Sequence, residues 1–481
     1  MTLRVYNYLT REMEVFKPLH EDSVGVYVCG PTVYDHAHLG HAKTYIAMDV
    51  ILRYLRFRGY KVRYVRNLTD VGHLLDSGED RISRGANREQ LQPMEVVEMY
   101  INSFNDDMDT LHVLRPNISP RPTGHIPEII AGIQNLLDMG YAYEAEGNVY
   151  FSVEKFSEYG KLSRHDPGEL LAGARVEVRE DKQNPADFAL WKKAAPEHLM
   201  SWSSPWGEGY PGWHIECSVM STKYLGQPFD IHGGGLENVF PHNECEIAQA
   251  EALRGTTFAA YWMLAGSLTV NGVKMSKSLG NFLTIKDALK LYTPEAIRYF
   301  ILSSHYRSTI DYSREAIEAA QQGIKRLHNT VTKLRRRKHN AAPAGTALLS
   351  QVVTLDDYRQ DFLTAMDDDF NTPQALATLF EFVKEVNNYL DENENVSMGT
   401  FAAMDRIFTD LAGQVLRILP ETFLGQVTEP MMEGLLDLLI ELRQEYRASR
   451  DWTKADMIRS HLSEIGIILE DYADGSTWYL K

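Results

Sequence analysis

The chain has 481 residues, 44% hydrophobic and 24% charged, ordinary values for a soluble globular protein and too long for a single core. A formal net charge of −17 excludes a surface coated with nucleic acid, though not a nucleic-acid ligand held by a local basic patch. Three cysteines make no disulfide framework and point to a reducing cytoplasm, and no apolar run is long enough to span a membrane.

The N-terminal MTLRVYNYLTREMEVF is interrupted by charges, so no signal peptide is expected. VGVYV at 24–28 reads as a buried strand. From Ala42 to Phe57 the period becomes helical: Ile46, Val50, Ile51, Tyr54 and Leu55 share a face, and Gly59 stops the helix. YKVRYV at 60–65 is a second strand. This βαβ unit predicts a parallel sheet with a right-handed crossover, whose ligands lie beyond the strand's carboxyl end, among Cys29 to His41. The stretch from about 110 to 205 reads as an insertion, after which the sheet resumes near GWHIECSVMS and FDIHGGG. SLTVNGV at 267–273 carries an Asn-Gly hairpin signal, and Thr293-Pro294 caps a helix running through Phe300.

Beyond 313 the pattern is helical. Leu376, Leu379, Phe380, Val383, Val386 and Leu390 keep helical spacing behind an NTP start with Pro373 in the first turn. HNAAPAGTA at 339–347 reads as a linker. The last fifty residues give two helices, then IILED and TWYL across a glycine-containing turn. The fold class expected is α/β: a Rossmann-type parallel sheet with an insertion, then a helical bundle and a small C-terminal α/β module. The boundaries are 1–110 for the first half of the sheet domain, 111–205 for the connective insertion and 206–312 for the second half. The bundle takes 313–425 and the terminal module 426–481.

Two motifs carry chemistry. HLGH, His38 to His41, opens a helix, where free backbone N–H groups and the dipole favour phosphate; Gly40 allows close approach, and two imidazoles three apart can donate to phosphate oxygens. Taken alone, a surface histidine pair fits it equally well. KMSKSLGN, Lys274 to Asn281, follows the hairpin, and Lys274 with Lys277 could clamp a leaving pyrophosphate; a solvated lysine loop is the bland alternative. The two together are far more specific than either. KRLHNTVTKLRRRK carries seven Lys or Arg between 325 and 338, either a solvated face or a contact to an RNA backbone.

With HLGH and KMSKS in that order, the sequence resembles a class I aminoacyl-tRNA synthetase. YVCGPTVYDHAHLGH, NLTD, NPADFALWK, SPWGEGYPGWHIECS, FDIHGGG, FPHNECE, MDDDFNTP and IILEDYADGSTW resemble, in order and over essentially the whole chain, the cysteinyl-tRNA synthetase family. The resemblance implies two-step, ATP-dependent attachment of L-cysteine to its tRNA through a cysteinyl-adenylate, with Mg2+ accompanying ATP, by a cytoplasmic monomer. His38, His41, Lys274 and Lys277 would be catalytic, with His38, Gly40, His41 and Lys277 holding ATP. Cys29, Cys217, His242 and Glu246 match the family's ligands for one Zn2+; only His242 and Glu246, i and i+4, have local logic. Zinc would select the substrate thiolate over a hydroxyl, so no editing domain is needed. Cys29, Thr69, Trp213 and His232 would contact substrate, with core packing an equal alternative for Trp213.

The chain departs from the family at NLTDVGHLL, at Glu237 and at Cys245, the last expected to point away from the metal. Two rivals differ in class. A mycothiol-type ligase would pass activated cysteine to an aminosugar, but such relatives lack the C-terminal region present here. A non-catalytic tRNA-binding paralogue would have no need of intact HLGH and KMSKS.

Overall fold

The computed structural model describes residues 2–72, 81–164, 181–195, 198, 200–275, 281–339, 341, 349–420, 429–464, 466–472 and 475–480. They fall into two compact units, residues 1–420 and 421–481.

The first unit opens with an antiparallel pair, β1 (Arg4–Asn7) and β2 (Glu12–Val15). β3 (Ser23–Val28), α1 (Leu39–Phe57) and β4 (Lys61–Arg66) form the expected parallel βαβ unit, with Val26 opposite Tyr64. The helix α1 starts ahead of Ala42 because His38 caps it, and fourteen of its residues are buried. α2 (Arg81–Glu89) and α3 (Pro93–Thr110) follow.

The insertion combines α4 (Ile126–Asp138) with β5 (Ala142–Ala145), β6 (Asn148–Phe151), β7 (Phe188–Lys193), β8 (Trp202–Ser204) and β9 (Gly207–Pro211). These strands are antiparallel in the order β5-β6-β7-β9-β8. The last one runs to Pro211, past residue 205, where the sequence pattern ends the insertion. WSS and GEGYP are too short and glycine-broken to show alternation.

α5 (Ile215–Leu225), β10 (Phe229–Gly235), α6 (Glu244–Arg254) and β11 (Ala259–Ala265) complete a four-stranded parallel sheet ordered β11-β10-β3-β4. From β3 the chain moves outward to β4, then returns to the other side at β10. The carboxyl ends of β3 and β10 therefore flank a switch point, the usual ligand crevice of such sheets.

β12 (Leu268–Val270) and β13 (Val273–Lys274) form the predicted hairpin, with φ of 50° at Asn271 and 76° at Gly272, the left-handed pair a two-residue turn requires. α7 (Ile285–Leu289) leads to α8 (Pro294–Leu302), where Thr293 Oγ1 accepts the Ala296 N–H. β14 (Ile310–Tyr312) pairs parallel with β12.

The bundle comprises α9 (Arg314–His339), α10 (Leu349–Asp367), α11 (Thr372–Glu392) and α12 (Met398–Ile407). Asn371 caps α11 and Pro373 stands in its first turn; Leu376, Leu379, Val383, Val386 and Leu390 are buried as their spacing demands. The expected linker at 339–347 lies almost wholly outside the described residues. The second unit packs α13 (Glu429–Ala448) and α14 (Trp452–Glu464) with the hairpin of β15 (Ile467–Tyr472) and β16 (Gly475–Leu480), around Leu436, Ile440, Leu462, Ile467 and Leu469. Among the described residues no helix is long and apolar enough to cross a membrane.

Several cations of the basic run on α9 have partners within the bundle. Arg335 and Lys338 pair with Asp405 at 2.7 and 2.9 Å, Lys333 with Asp391, and Arg337 donates to the carbonyls of Leu390, Asn393 and Glu394. Lys325, Arg326 and Arg336 remain exposed. Most of these cations hold α9 to α11 and α12.

Candidate active site and metal centre

The site gathers at the carboxyl edge of the parallel sheet. His38 is extended (φ −119°, ψ 170°), and its Nδ1 accepts the Gly40 N–H at 3.1 Å. His41 Nδ1 accepts the His38 N–H at 3.2 Å, closing a reciprocal cap. Both Nδ1 atoms are thus acceptors, so each ring, when neutral, carries its proton on Nε2. The rings lie 3.9 Å apart. Desolvation and the neighbouring His38 push His41 down to about 3, so it meets an anion as a neutral donor.

Gly40 is required sterically, since a Cβ there would stand 2.8 Å from the His38 ring. Met275 Cε, from the lysine motif, would be 3.6 Å from the same point. The chain after that motif returns to the helix start: Leu39 N–H donates to Leu283 O at 3.1 Å and Ile285 N–H to Ala37 O at 3.0 Å. Lys274 is exposed on β13, and its carbonyl accepts from Asn281 Nδ2 at 3.2 Å. Lys277 lies outside the described residues.

On the other side of β3, four buried residues converge. The ligand atoms of Cys29, Cys217, His242 and Glu246 all lie within 4.8 Å of one another. Cys29 directly follows β3, Cys217 sits in the first turn of α5, and His242 and Glu246 bracket the start of α6. Cys29 Sγ is 3.6 Å and His242 Nε2 3.1 Å from Glu246 Oε1. A hydrogen bond with Cys217 favours the Cys29 thiolate, but burial and the Glu246 carboxylate outweigh it and push the thiol up to about 11. Burial also works against the Glu246 carboxylate, yet His232 and His242 hold it well below the usual range. Two thiols and a carboxylate packed in a dry site repel as anions, and a soft divalent cation resolves that repulsion. The donor set suits zinc.

A second layer orients these groups. Glu246 Oε2 accepts from Asn243 Nδ2 at 3.0 Å and lies 2.8 Å from His232 Nε2. His242 Nδ1 is 2.9 Å from His214 Nδ1, so that with Nε2 turned to a metal, Nδ1–H donates to His214. Trp213 is partly exposed, its ring 4.6 Å from that of His242. Thr69 accepts from Asn67 Nδ2 at 3.0 Å and donates to Glu216 at 3.4 Å, beside Cys217.

His232, expected among the substrate contacts, also adjoins the metal set. It is fully buried, stacked on Trp262 at 4.1 Å, with its Nε2 on Glu246. The glycine after it makes room for α1, as a Cβ at Gly233 would meet Met48 Cε at 2.4 Å. Cys245 points away from the cluster into an apolar core, 3.5 Å from Tyr159 Oη. His214 and Asn243 went unnoticed in the sequence; each adjoins a motif residue, but neither has a periodic signal of its own.

Tyr45 joins the two halves. Its hydroxyl donates to Cys29 O at 3.2 Å, and its ring lies 6.4 Å from His41 at an interplanar angle of 6°.

A family profile described as tRNA synthetases class I (C) catalytic domain matches residues 15–322, and one described as DALR domain matches 361–419. The chain is 50% identical over 493 residues to the cysteine–tRNA ligase of Chlorobaculum tepidum, covering 100% of this chain and 99% of that one. It is 49% identical over 485 residues to a cysteine–tRNA ligase of Thermus thermophilus, covering 100% of both. Among solved structures, Mycobacterium tuberculosis methionyl-tRNA synthetase in complex with methionyl-adenylate matches with a TM-score of 0.61 at 16% identity, over 87% of this chain and 94% of that one, a likeness of fold alone. Half-identity along the full length, with the class I catalytic profile over most of it, makes the chain a member of the cysteine–tRNA ligases, the class I synthetases that join cysteine to tRNA.

Proposed function

We propose that the enzyme works in the cytoplasm through a cysteinyl-adenylate and selects its amino acid at a zinc ion held by Cys29, Cys217, His242 and Glu246. The observation that carries this is the convergence of those four ligand atoms within 4.8 Å, tied by Tyr45 to the helix start at His38 and His41. A zinc ion there would take the substrate thiolate as a further ligand and bind a serine hydroxyl poorly.

The chain's own groups supply the rest. Trp213 and Thr69 border the metal set and would shape the amino-acid pocket, leaving the cysteine carboxylate directed toward α1. Attack of that carboxylate on the α-phosphorus of Mg2+-bound ATP expels pyrophosphate. The Nε2–H groups of His38 and His41 would donate to phosphate oxygens as charge builds, and Lys274 and Lys277 would neutralise the leaving group. A terminal hydroxyl of tRNA then accepts the cysteinyl group. No protein nucleophile is needed, because positioning and charge stabilisation carry both steps. His232 is assigned a supporting place behind Glu246 instead of a substrate contact. The bundle at 313–425 and the module at 426–481 are assigned to tRNA.

The test is cysteine-dependent ATP–pyrophosphate exchange run beside charging of total tRNA, on the full chain and on a form ending at Pro420. The second unit is compact by itself, so its removal spares the adenylate site. Exchange should persist in the shortened form and charging should collapse, because remote binding energy no longer positions the acceptor. Equal charging by both forms would refute the assignment of the terminal module; exchange without tRNA charging by the full chain, with an aminosugar accepting cysteine, would refute the tRNA step.

A further inference from the structure

The acidic turn that ends α10, Asp367-Asp368-Asp369, lies far in sequence from every motif of the site, yet the side chains of Asp367 and Asp369 meet the catalytic domain. Asp367 accepts from Tyr54 Oη at 2.7 Å and from Arg58 Nη1 at 2.6 Å, at the far end of α1. The Asp369 N–H donates to Arg4 O at 2.9 Å. Asp369 itself is nearly fully buried and uses both carboxylate oxygens. Oδ1 accepts from the Tyr6 N–H at 2.8 Å and Tyr306 Oη at 2.9 Å; Oδ2 accepts from Arg307 Nε at 2.6 Å and lies 3.6 Å from His305 Nε2. Asp369 and Phe370 have φ of 57° and 53°, two consecutive non-glycine residues in the left-handed region. Such a turn persists only where its surroundings over-determine it.

The segment that Asp369 grips supports both halves of the phosphate site. The carbonyl of His305 accepts from Lys43 Nζ at 3.3 Å, two residues beyond His41 on α1. The carbonyl of Tyr306 accepts the Gly266 N–H at 2.8 Å, and Ile310 N–H donates to Ser267 O at 3.0 Å, at the root of the hairpin that carries Lys274. Contact there is tight, as a Cβ on Gly266 would stand 2.3 Å from Ser308 O. β14 then runs alongside β12, and Asp311 Oδ1 accepts from Thr269 Oγ1 and the Gly272 N–H at the hairpin's turn.

We propose that Asp369 is a positioning residue through which the helical bundle sets the adenylate site: by fixing residues 305–307 it aligns the lysine-bearing hairpin with the histidine-bearing start of α1. Asp369 touches no substrate, and its effect falls on phosphate chemistry rather than on cysteine recognition, because the metal set lies on the opposite side of β3. This rests on the adenylate reading above.

The test compares wild type with the near-isosteric Asp369→Asn and with Arg307→Ala in cysteine-dependent ATP–pyrophosphate exchange, with thermal unfolding and zinc content measured on the same samples. Both variants should lose at least tenfold in kcat while keeping KM for cysteine and bound zinc. The double variant should lose no more than either single one, since both break one contact. Asp405→Asn, which unties Arg335 and Lys338 within the bundle, is the control and should keep its kcat. Wild-type kcat in Asp369→Asn, or a lowered unfolding midpoint with unchanged kcat, would overturn the proposal. An equal kcat loss in Asp405→Asn would also overturn it, pointing to general loosening of the bundle. Absence of exchange in the wild type would instead sink the adenylate reading itself.

Discussion

Gly40→Ala separates the site's chemistry from its stability. A Cβ at this position would stand 2.8 Å from both Nδ1 and Cε1 of His38, roughly 0.6 Å inside ordinary carbon contact. The ring cannot simply swing aside, because its Nδ1 accepts the Gly40 N–H and so caps α1. Moving it forfeits that cap, worth about 1 kcal/mol. Alanine in place of glycine in the first helical turn returns up to about 1 kcal/mol. The two effects nearly cancel, and the unfolding midpoint should stay close to wild type. The Nε2–H donor, however, leaves its aim, and loss of one transition-state donor costs about 3 kcal/mol, or roughly 10²–10³ in rate. Cysteine-dependent exchange should therefore fall by that factor in kcat, with KM for cysteine and zinc content unchanged. Wild-type kcat would refute the role given to His38, and a loss of several kcal/mol in stability would show that the backbone, not the ring, yields.

Cys217→Ser should lose both bound metal and cysteine activation, and X-ray absorption of the wild type should gain a sulfur neighbour when cysteine is added; stoichiometric zinc with normal exchange in the variant would contradict the ligand assignment. Lys43 offers a test by pH. Burial pushes its amine down to about 8, against an unfolded value near 10.4. Below pH 8 both states hold the proton and the folded state bears the full cost of a buried charge. As pH rises through the window from 8 to 10.4 the folded state releases its proton first, and native stability recovers. Lys43→Met should accordingly be more stable than wild type at pH 7, by up to about 3 kcal/mol, with the gap closing across that window in denaturant titrations. A gap independent of pH would show that Lys43 does not titrate abnormally.

Legibility in the sequence followed the range of the interaction. The caps at Thr293 and Asn371, the Asn271-Gly272 hairpin and the βαβ unit around α1 are decided within a few residues, and the structure has each of them. Cys29 and Cys217 stand 188 positions apart, so no spacing could have paired them, and only the family resemblance did. In the basic run a cation's partner is invisible locally: Arg335 finds Asp405 seventy positions away and Arg337 the carbonyl end of α11. His232 is ambiguous for a related reason. Strand alternation on β10 says that its ring shares a face with Asp230 and Gly234, but not whether substrate or Glu246 waits there.

The two halves of the site divide the work by chemistry. Behind β3 and β10, sulfur, imidazole and a buried carboxylate suit a soft cation and, through it, a thiolate. At the start of α1 the His41 imidazole, held neutral by burial and by His38, suits phosphate without adding fixed charge. Lys274 stands on the β12–β13 hairpin. Tyr45 links the two halves: it belongs to α1, bonds the backbone of Cys29 and lies parallel to His41. On the proposed function, a thiol held in the first half would present the carboxylate on the cysteine α-carbon toward the donors of the second. On the same reading serine would bind the metal set poorly, before its carboxylate is presented to phosphate. On the proposed function, selection by the metal set and activation at the helix start would be one geometric event, and the thiolate filter would serve in place of hydrolytic editing.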